Sequence, residues 1–429
     1  MGAQPKSRVL WSRMPRQSTT AIRQSLTLLF SRRFGTFWFA NLLSNMGSWA
    51  QQVAEPWLLL SIGASSFVIG LDAFAMAAPA WLLTLVGGML ADRGDRRRVI
   101  ATYQSIQMLC PVILVVLLLA GVVQPWMVVA LSLVVGITDA LSMPSFQTIV
   151  PSIVRRDQIA AALALNATQF NLSRILGPAL AGVLMASLGA IACFSINAAS
   201  YIPFIMVALW ILPRGRAAAG DDHGDAASGR RPLGGFRDIL RRPKLRGALL
   251  TVFLTSLLCG PLIVFCPILI KDALHGDVTG FSGAIGAFGV GGLLGALLLL
   301  GVDAGADRRR LSSWFAVGYG VIVMLAALTP WLWGLAALLI VAGLSMNVSN
   351  TSANTLLQAA APPRLLGQTV SLYMLALRGG VSIGSFVTGI TVGLIGVREA
   401  LLLNGALAVI GQLIVLQQRS RRISAKAPA

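Results

Sequence analysis

"GMLADRGDRRR", residues 88–98, places six charged side chains in seven positions, Asp92 to Arg98, between two long apolar stretches. The 429-residue chain around it is 56% hydrophobic and only 11% charged, with a mean hydropathy of +0.78. Soluble domains carry roughly 25% charged residues, so lipid is the expected solvent for most of this chain. A bilayer core about 30 Å thick takes roughly 20 apolar residues at 1.5 Å rise each. Working outward from residues 88–98, twelve such runs are found: 35–61, 66–90, 99–121, 126–148, 158–187, 190–212, 247–270, 280–300, 311–329, 333–356, 368–395 and 399–417. They predict an all-α membrane protein with twelve transmembrane helices.

The formal charge of +19 would suggest nucleic acid in a soluble protein, but here the position of the charge carries more information than its total. With the N-terminus placed inside, 30 of the 34 lysines and arginines fall in 1–36, 91–99, 149–157, 213–246, 301–310, 362–367 and the C-terminal tail. The opposite connections hold only Lys271 and Arg398, and Arg174 and Arg378 fall within spans. This asymmetry predicts a multi-pass membrane chain with both termini in the cytoplasm, and no nucleic-acid partner is expected. Residues 1–33 lack an apolar core beside a cleavage site, so no cleaved signal peptide is expected.

Cys110, Cys193, Cys259 and Cys266 lie in apolar spans without ligand spacing and read as small hydrophobic side chains. The two histidines, His223 and His275, lie in connections, which argues against a metal site or an intramembrane histidine relay. No Gly-x-x-x-x-Gly-Lys-Ser/Thr occurs, so ATP is not the expected energy source. Nothing points to an enzyme or a bound cofactor.

The longest polar stretch, "PRGRAAAGDDHGDAASGRRPLGGFRDILRRPKLR" at 213–246, has the composition of a linker with a basic end. It divides the chain into a basic N-terminal segment (1–34), six spans (35–212), the linker (213–246), six more spans (247–417) and a tail (418–429). The two sets echo each other. "GVDAGADRRR" at 301–310 follows the second span of its set as "GMLADRGDRRR" does, and "QTIVPSIV" at 147 and "QAAAPPRL" at 358 both place Gln four residues before Pro. Weak internal repeats of this kind mark secondary transporters.

"GMLADRGDRRR" resembles the Gly-x-x-x-Asp-Arg-x-Gly-Arg-Arg loop of the major facilitator superfamily, matching at Gly88, Asp92, Arg93, Arg96 and Arg97, with Asp95 where the family usually has Gly. The resemblance implies two six-helix bundles and a cytoplasmic latch built by Asp92 and its arginines. Asp139, about 13 residues inward on the fourth span, is expected near the same inner surface, in reach of Arg96 or Arg97. "MPSFQTIVPSIVRRDQIAAALALNATQFNLSRILGPALAG" at 143–182 is similar to the transmembrane secretion effector branch, which includes the enterobactin exporter. Its "GPALAG", with Gly177, Pro178 and Gly182, resembles the antiporter motif of the fifth helix, spaced one residue wider before the last Gly. Such a helix bends and packs closely; plain packing is the alternative. The fourth span departs from the pattern in lacking the Arg that many proton-coupled exporters carry there.

Ionisable groups within a span are costly and call for a partner or a function. Glu55 and Asp72 each lie about six residues from the outer end of their spans, so they are expected to meet at equal depth. Two carboxylates together in low dielectric resist ionising together, which makes one of them a proton acceptor; solvation in an outer vestibule is the alternative. Arg174 and Arg378 lie mid-span at corresponding positions of the two sets. They would attract an anionic substrate group or the proton-binding carboxylate, or else pair with carbonyls at the interface between the halves. Asn41, Asn45, Ser48, Gln52 and Glu55 form one polar stripe on the first span, and Asn347, Asn350, Thr351, Asn354 and Gln358 another on the tenth. Family resemblance places both stripes on the substrate cavity; helix packing is the alternative.

The expected protein is a monomeric secondary transporter that exports a small amphipathic molecule, a drug or a siderophore-like compound, by alternating access, with the proton gradient as its energy source. An uncoupled facilitator, importer or lysolipid transporter of the same fold is the first rival, and a non-transporting membrane receptor the second.

Overall fold

The computed structural model describes residues 27–93, 96–155, 158–211, 232–302, 307–362 and 365–424. Before the linker these form α1 (Phe34–Ser61), α2 (Ser66–Arg93), α3 (Arg96–Leu119), α4 (Pro125–Ser152), α5 (Ile159–Ser187) and α6 (Gly189–Trp210). A short helix, α7 (Pro232–Arg241), precedes the second set. That set comprises α8 (Pro243–Cys259), α9 (Pro261–Ile268), α10 (Val278–Leu300), α11 (Arg308–Leu328), α12 (Leu332–Ala360), α13 (Leu366–Ile395) and α14 (Val397–Ser424).

Among the described residues there is no strand, and ten stretches are long and apolar enough to cross a membrane. The first two expected spans fall outside that number. α1 is 28 residues long but carries Asn41, Asn45, Gln51, Gln52 and Glu55, and the apolar stretch recognised in α2 is confined to Ser66–Ala80. The seventh expected span, 247–270, falls within one membrane-crossing stretch, Pro243–Ala273, assembled from consecutive helical segments. α8 ends at Cys259, Pro261 starts α9 where its missing N–H costs nothing, and a π-helical turn follows over Leu269–Ala273.

Successive helices reverse at two ends, called here the linker end, where α6 leaves for the linker, and the far end. Far-end turns are short and use left-handed glycines, Gly63 (φ 80°) before α2 and Gly396 (φ 95°) before α14. At the linker end, Asp307 of the second "ADRRR" copy caps α11, accepting from the backbone N–H of Arg309 (3.1 Å) and Arg310 (3.2 Å).

Within the first set α2 packs on α4, α1 on α5 and α6, and α3 on α4 and α6; within the second, α10 and α11 pack on α12 and α8 packs on α13. Two long contacts join the sets, α2 with α13 and α5 with α10. Both rely on missing side chains. A methyl group on Gly389 would lie 2.7 Å from the Ser66 carbonyl oxygen, and one on Gly182 would lie 2.7 Å from that of Ser282, so the backbones touch only because glycine is there.

The apolar interior is correspondingly divided. A single core at the far end draws on both sets, running from Ala54, Leu59, Ile69 and Phe194 to Phe265, Phe281, Ala326 and Leu401. Trp57 of α1 stacks on Phe281 of α10 within that region, centroids 5.0 Å apart. At the linker end the described residues form two cores. One belongs to the first set (Phe34, Phe37, Ile100, Ile149, Phe204) and the other to the second (Ile239, Leu245, Val252, Leu357, Tyr373).

Candidate functional site

Two polar constellations interrupt this apolar frame. The first is buried in the first helix set. Glu55 of α1 and Asp72 of α2 are both buried, and the Ser132 hydroxyl of α4 donates to Glu55 Oε1 at 2.9 Å while standing beside Asp72 as well. Asp72 Oδ1 is buried without a hydrogen-bond partner. The two carboxylates expected to meet at equal depth are therefore neighbours. A polar cavity of about 20 Å³, lined by Ser48, Gln51, Gln52, Glu55, Gln107 and Asn197 among others, opens against Glu55. A water needs roughly 10–15 Å³, so the cavity has room for a solvent molecule at the carboxylate.

Sequence reading missed most of these partners. Ser132, Asn197 and Tyr201 are isolated polar residues in apolar spans and show no periodicity. Only the Gln104–Gln107 pair of α3, joined at 2.9 Å, carried an i, i+3 signal. The polar stripe of α1 divides between neighbours. Asn41 donates to Gln169 Oε1 of α5 (2.9 Å), Asn45 donates to Asn41 Oδ1 (3.0 Å), and Ser48 bonds the Tyr201 hydroxyl of α6 (3.0 Å). Gln52 and Glu55 face the cavity inside the first set. On α12, Asn347 and Asn350 are buried; Asn347 donates to the Gly292 carbonyl of α10 (2.5 Å) and accepts from Thr351 (2.9 Å), while Gln358 donates to Asn354 Oδ1 (3.0 Å). The upper part of this stripe thus holds α10 and α12 together.

The second constellation lies between the sets. Asp139 of α4 forms an ion pair with Arg378 of α13 through Oδ2 and Nη1. The expected pairing of Asp139 with Arg96 or Arg97 turns on side chains of which that of Arg96 lies outside the described residues. α4 runs on to Ser152, four residues past the expected end, so Asp139 sits near the middle of a 28-residue helix, roughly 20 Å from either end. Arg174 is likewise near the middle of α5, beside Ile175, Phe288, Met346 and Asn347, and it reaches the Tyr373 hydroxyl of α13. Each arginine therefore bonds across to the other helix set.

Of the loop that resembles the superfamily motif, the backbone of Gly88, Asp92 and Arg93 belongs to α2 and that of Arg96 and Arg97 to α3. The side chains of Asp92, Arg93 and Arg96 lie outside the described residues, as do Gly94 and Asp95 altogether; Arg97 is partly buried. In the fifth-helix motif, Gly177 faces Trp49 of α1, Pro178 lies inside α5, and Gly182 meets α10. The four cysteines are free and buried, and no cluster of His, Cys, Asp and Glu suited to a metal occurs among the described residues.

A membrane-embedded helical frame with ionisable groups at mid-depth between two helix sets defines a transporter. The chain belongs to the transmembrane secretion effector family of the major facilitator superfamily, whose description matches residues 24–428, and it is a transporter, not an enzyme. It is 26% identical to the multidrug efflux pump Tap of Mycolicibacterium fortuitum over 78% of this chain and 83% of that one. Identity to the enterobactin exporter EntS of Salmonella typhi is 24%, over 85% and 87% of the two chains. The staphyloferrin A transporter of Staphylococcus aureus is 27% identical over a stretch that spans 40% of this chain and 44% of that protein. A bacterial homolog of the human lysosomal transporter Spinster shares the fold, with a TM-score of 0.65 at 16% identity, covering 97% of this chain and 100% of the other.

Proposed function

We propose that this chain exports a small amphipathic molecule from the bacterial cytoplasm in exchange for protons, by alternating access of two six-helix bundles, α1–α6 and α8–α14. α8 and α9 together make the seventh of twelve spans. The arrangement of the apolar cores carries this reading: one core shared by both sets at the far end and one core for each set at the linker end. Such a body is closed at one end and divided at the other. The excess of basic residues on linker-end connections assigns that end, and both termini, to the cytoplasm, so the site between the sets opens inward to load substrate.

Proton coupling is assigned to Glu55 and Asp72. Two buried carboxylates sharing Ser132, beside a water-sized cavity, hold two negative charges at great electrostatic cost, which binding a proton relieves. Efflux names among the relatives (multidrug, enterobactin) support outward transport of a small molecule.

The test compares cells with and without the protein by mass spectrometry of cell extract and medium. At least one compound is expected to move from extract to medium only when the protein is present, and a protonophore or Glu55→Gln is expected to cut that export at least tenfold. Export that continues at the same rate after the gradient is collapsed would establish a facilitator instead.

A further inference from the structure

We propose that the site between the helix sets selects molecules carrying an acidic group, and that this group binds by taking Arg378 from Asp139. This deepens the transport reading above and rests on it for the location of the site.

The first argument is placement. Asp139, Arg174 and Arg378 all lie near the middle of helices of 28 to 30 residues, on opposite sides of the boundary between the sets. Transporters hold substrates at this depth. Although it joins the two sets, the Asp139–Arg378 pair is not sealed: the Arg378 side chain remains 34% exposed and that of Asp139 40%. At mid-membrane such exposure is tolerable only toward a water-accessible space, because hydrocarbon would leave the charges unsolvated.

The second argument is charge. Among the described residues the boundary holds two arginines, Arg174 and Arg378, at mid-helix depth and one carboxylate, Asp139, paired with Arg378. Arg174 spends its contact on the neutral hydroxyl of Tyr373, five residues before Arg378 on the same helix. That hydroxyl in turn donates to the Asn350 carbonyl at 3.4 Å. Among the described residues one positive charge at this depth is therefore left without a carboxylate, and an anion would neutralise it.

The third argument is bonding capacity. Arg378 meets Asp139 through one nitrogen and one oxygen, whereas a guanidinium presents five donors and binds carboxylates best through two parallel contacts. Donors remain for a second acid. Beside Arg174 the wall is apolar, formed by Ile175, Phe288 and Met346. A molecule with an acidic head and an apolar body satisfies both features, whereas an amphipathic cation would meet the arginines.

A purely structural tie between the sets makes the opposite prediction from a displaceable one, which permits a test by sign. Full-length protein in lipid nanodiscs is dialysed against three probes with one ring system: 1-naphthoate, 1-naphthylmethylammonium and 1-naphthalenemethanol, with empty nanodiscs as the blank. The wild-type protein is expected to bind the naphthoate at least tenfold more tightly than the ammonium probe. Arg378→Gln is expected to abolish that preference and Arg378→Lys to keep its sign. Asp139→Asn is expected to tighten naphthoate binding several-fold, since Arg378 is then released. Size-exclusion profiles of each variant report whether it is folded.

The proposal is overturned if the alcohol or ammonium probe binds as tightly as naphthoate, if none of the three binds above the blank, or if Asp139→Asn weakens naphthoate binding as Arg378→Gln does. No proton gradient enters this assay. Loss of gradient dependence in cells, with the naphthoate preference intact, would sink proton-coupled export and leave this inference standing.

Discussion

The far end and the linker end are built from the same kinds of side chain but connected differently. At the far end, glycines at 70, 182 and 389 let α2 lie on α13 and α5 on α10, and Trp57 stacks on Phe281, so aliphatic and aromatic groups from both sets merge into one core. At the linker end the buried apolar clusters among the described residues each belong to one set, as in the stack of Phe146 on Phe204 (5.4 Å) in the first set. A transporter needs a seam that can open and bodies that cannot. The difference lies in backbone proximity: a seam held by glycines depends on close approach and is weakened by a single methyl group, whereas a body packed by large side chains withstands the movement.

Substitutions at the two ends should therefore differ in kind. Phe204→Ala in the first-set core, where Phe204 is fully buried between Phe37 and Phe146, is expected to destabilise the protein by about 3–5 kcal/mol. It should lower the melting temperature of the purified protein without changing which face of the membrane reaches the interior. Gly389→Val at the seam forces its new side chain against the Ser66 carbonyl and should cost about 1–3 kcal/mol. Here the diagnostic result is a gain of labelling from the periplasmic side, measured on right-side-out vesicles. Trp57→Ala removes the stack across the seam, worth about 0.5–1.5 kcal/mol beyond area burial, and should move accessibility the same way but less. Ser48→Ala, which loses the bond to Tyr201 within one set, is expected to cost about 1 kcal/mol of thermal stability and leave accessibility unchanged. Equal shifts in accessibility for seam and body variants would remove the distinction between the two ends.

Much of this frame was legible in the sequence because it follows from one-dimensional signals. Hydropathy located the helices, basic residues separated the two ends, and counting residues along spans brought Glu55 and Asp72 to the same depth. Three features were not legible, each for a physical reason. The Asp139–Arg378 pair joins residues 239 apart in sequence, and locating it required the true end of α4, which a run of polar and apolar residues through Ser145, Gln147 and Thr148 obscured. The interruption at Gly260–Pro261 is a single residue within an unbroken apolar run, which hydropathy averages away. The stripe on α1 showed which residues share a face but not which helix that face meets, since Asn41 turns to α5 and Ser48 to α6.

The most direct test uses a cysteine at Asp139, 40% exposed between the sets, with the four buried native cysteines keeping the background low. A membrane-impermeant maleimide is offered to Asp139→Cys from either face, in inverted and in right-side-out vesicles. An interior divided at the cytoplasmic end and sealed at the other predicts labelling at least tenfold faster from the cytoplasmic face. Labelling as fast or faster from the periplasmic face would contradict it.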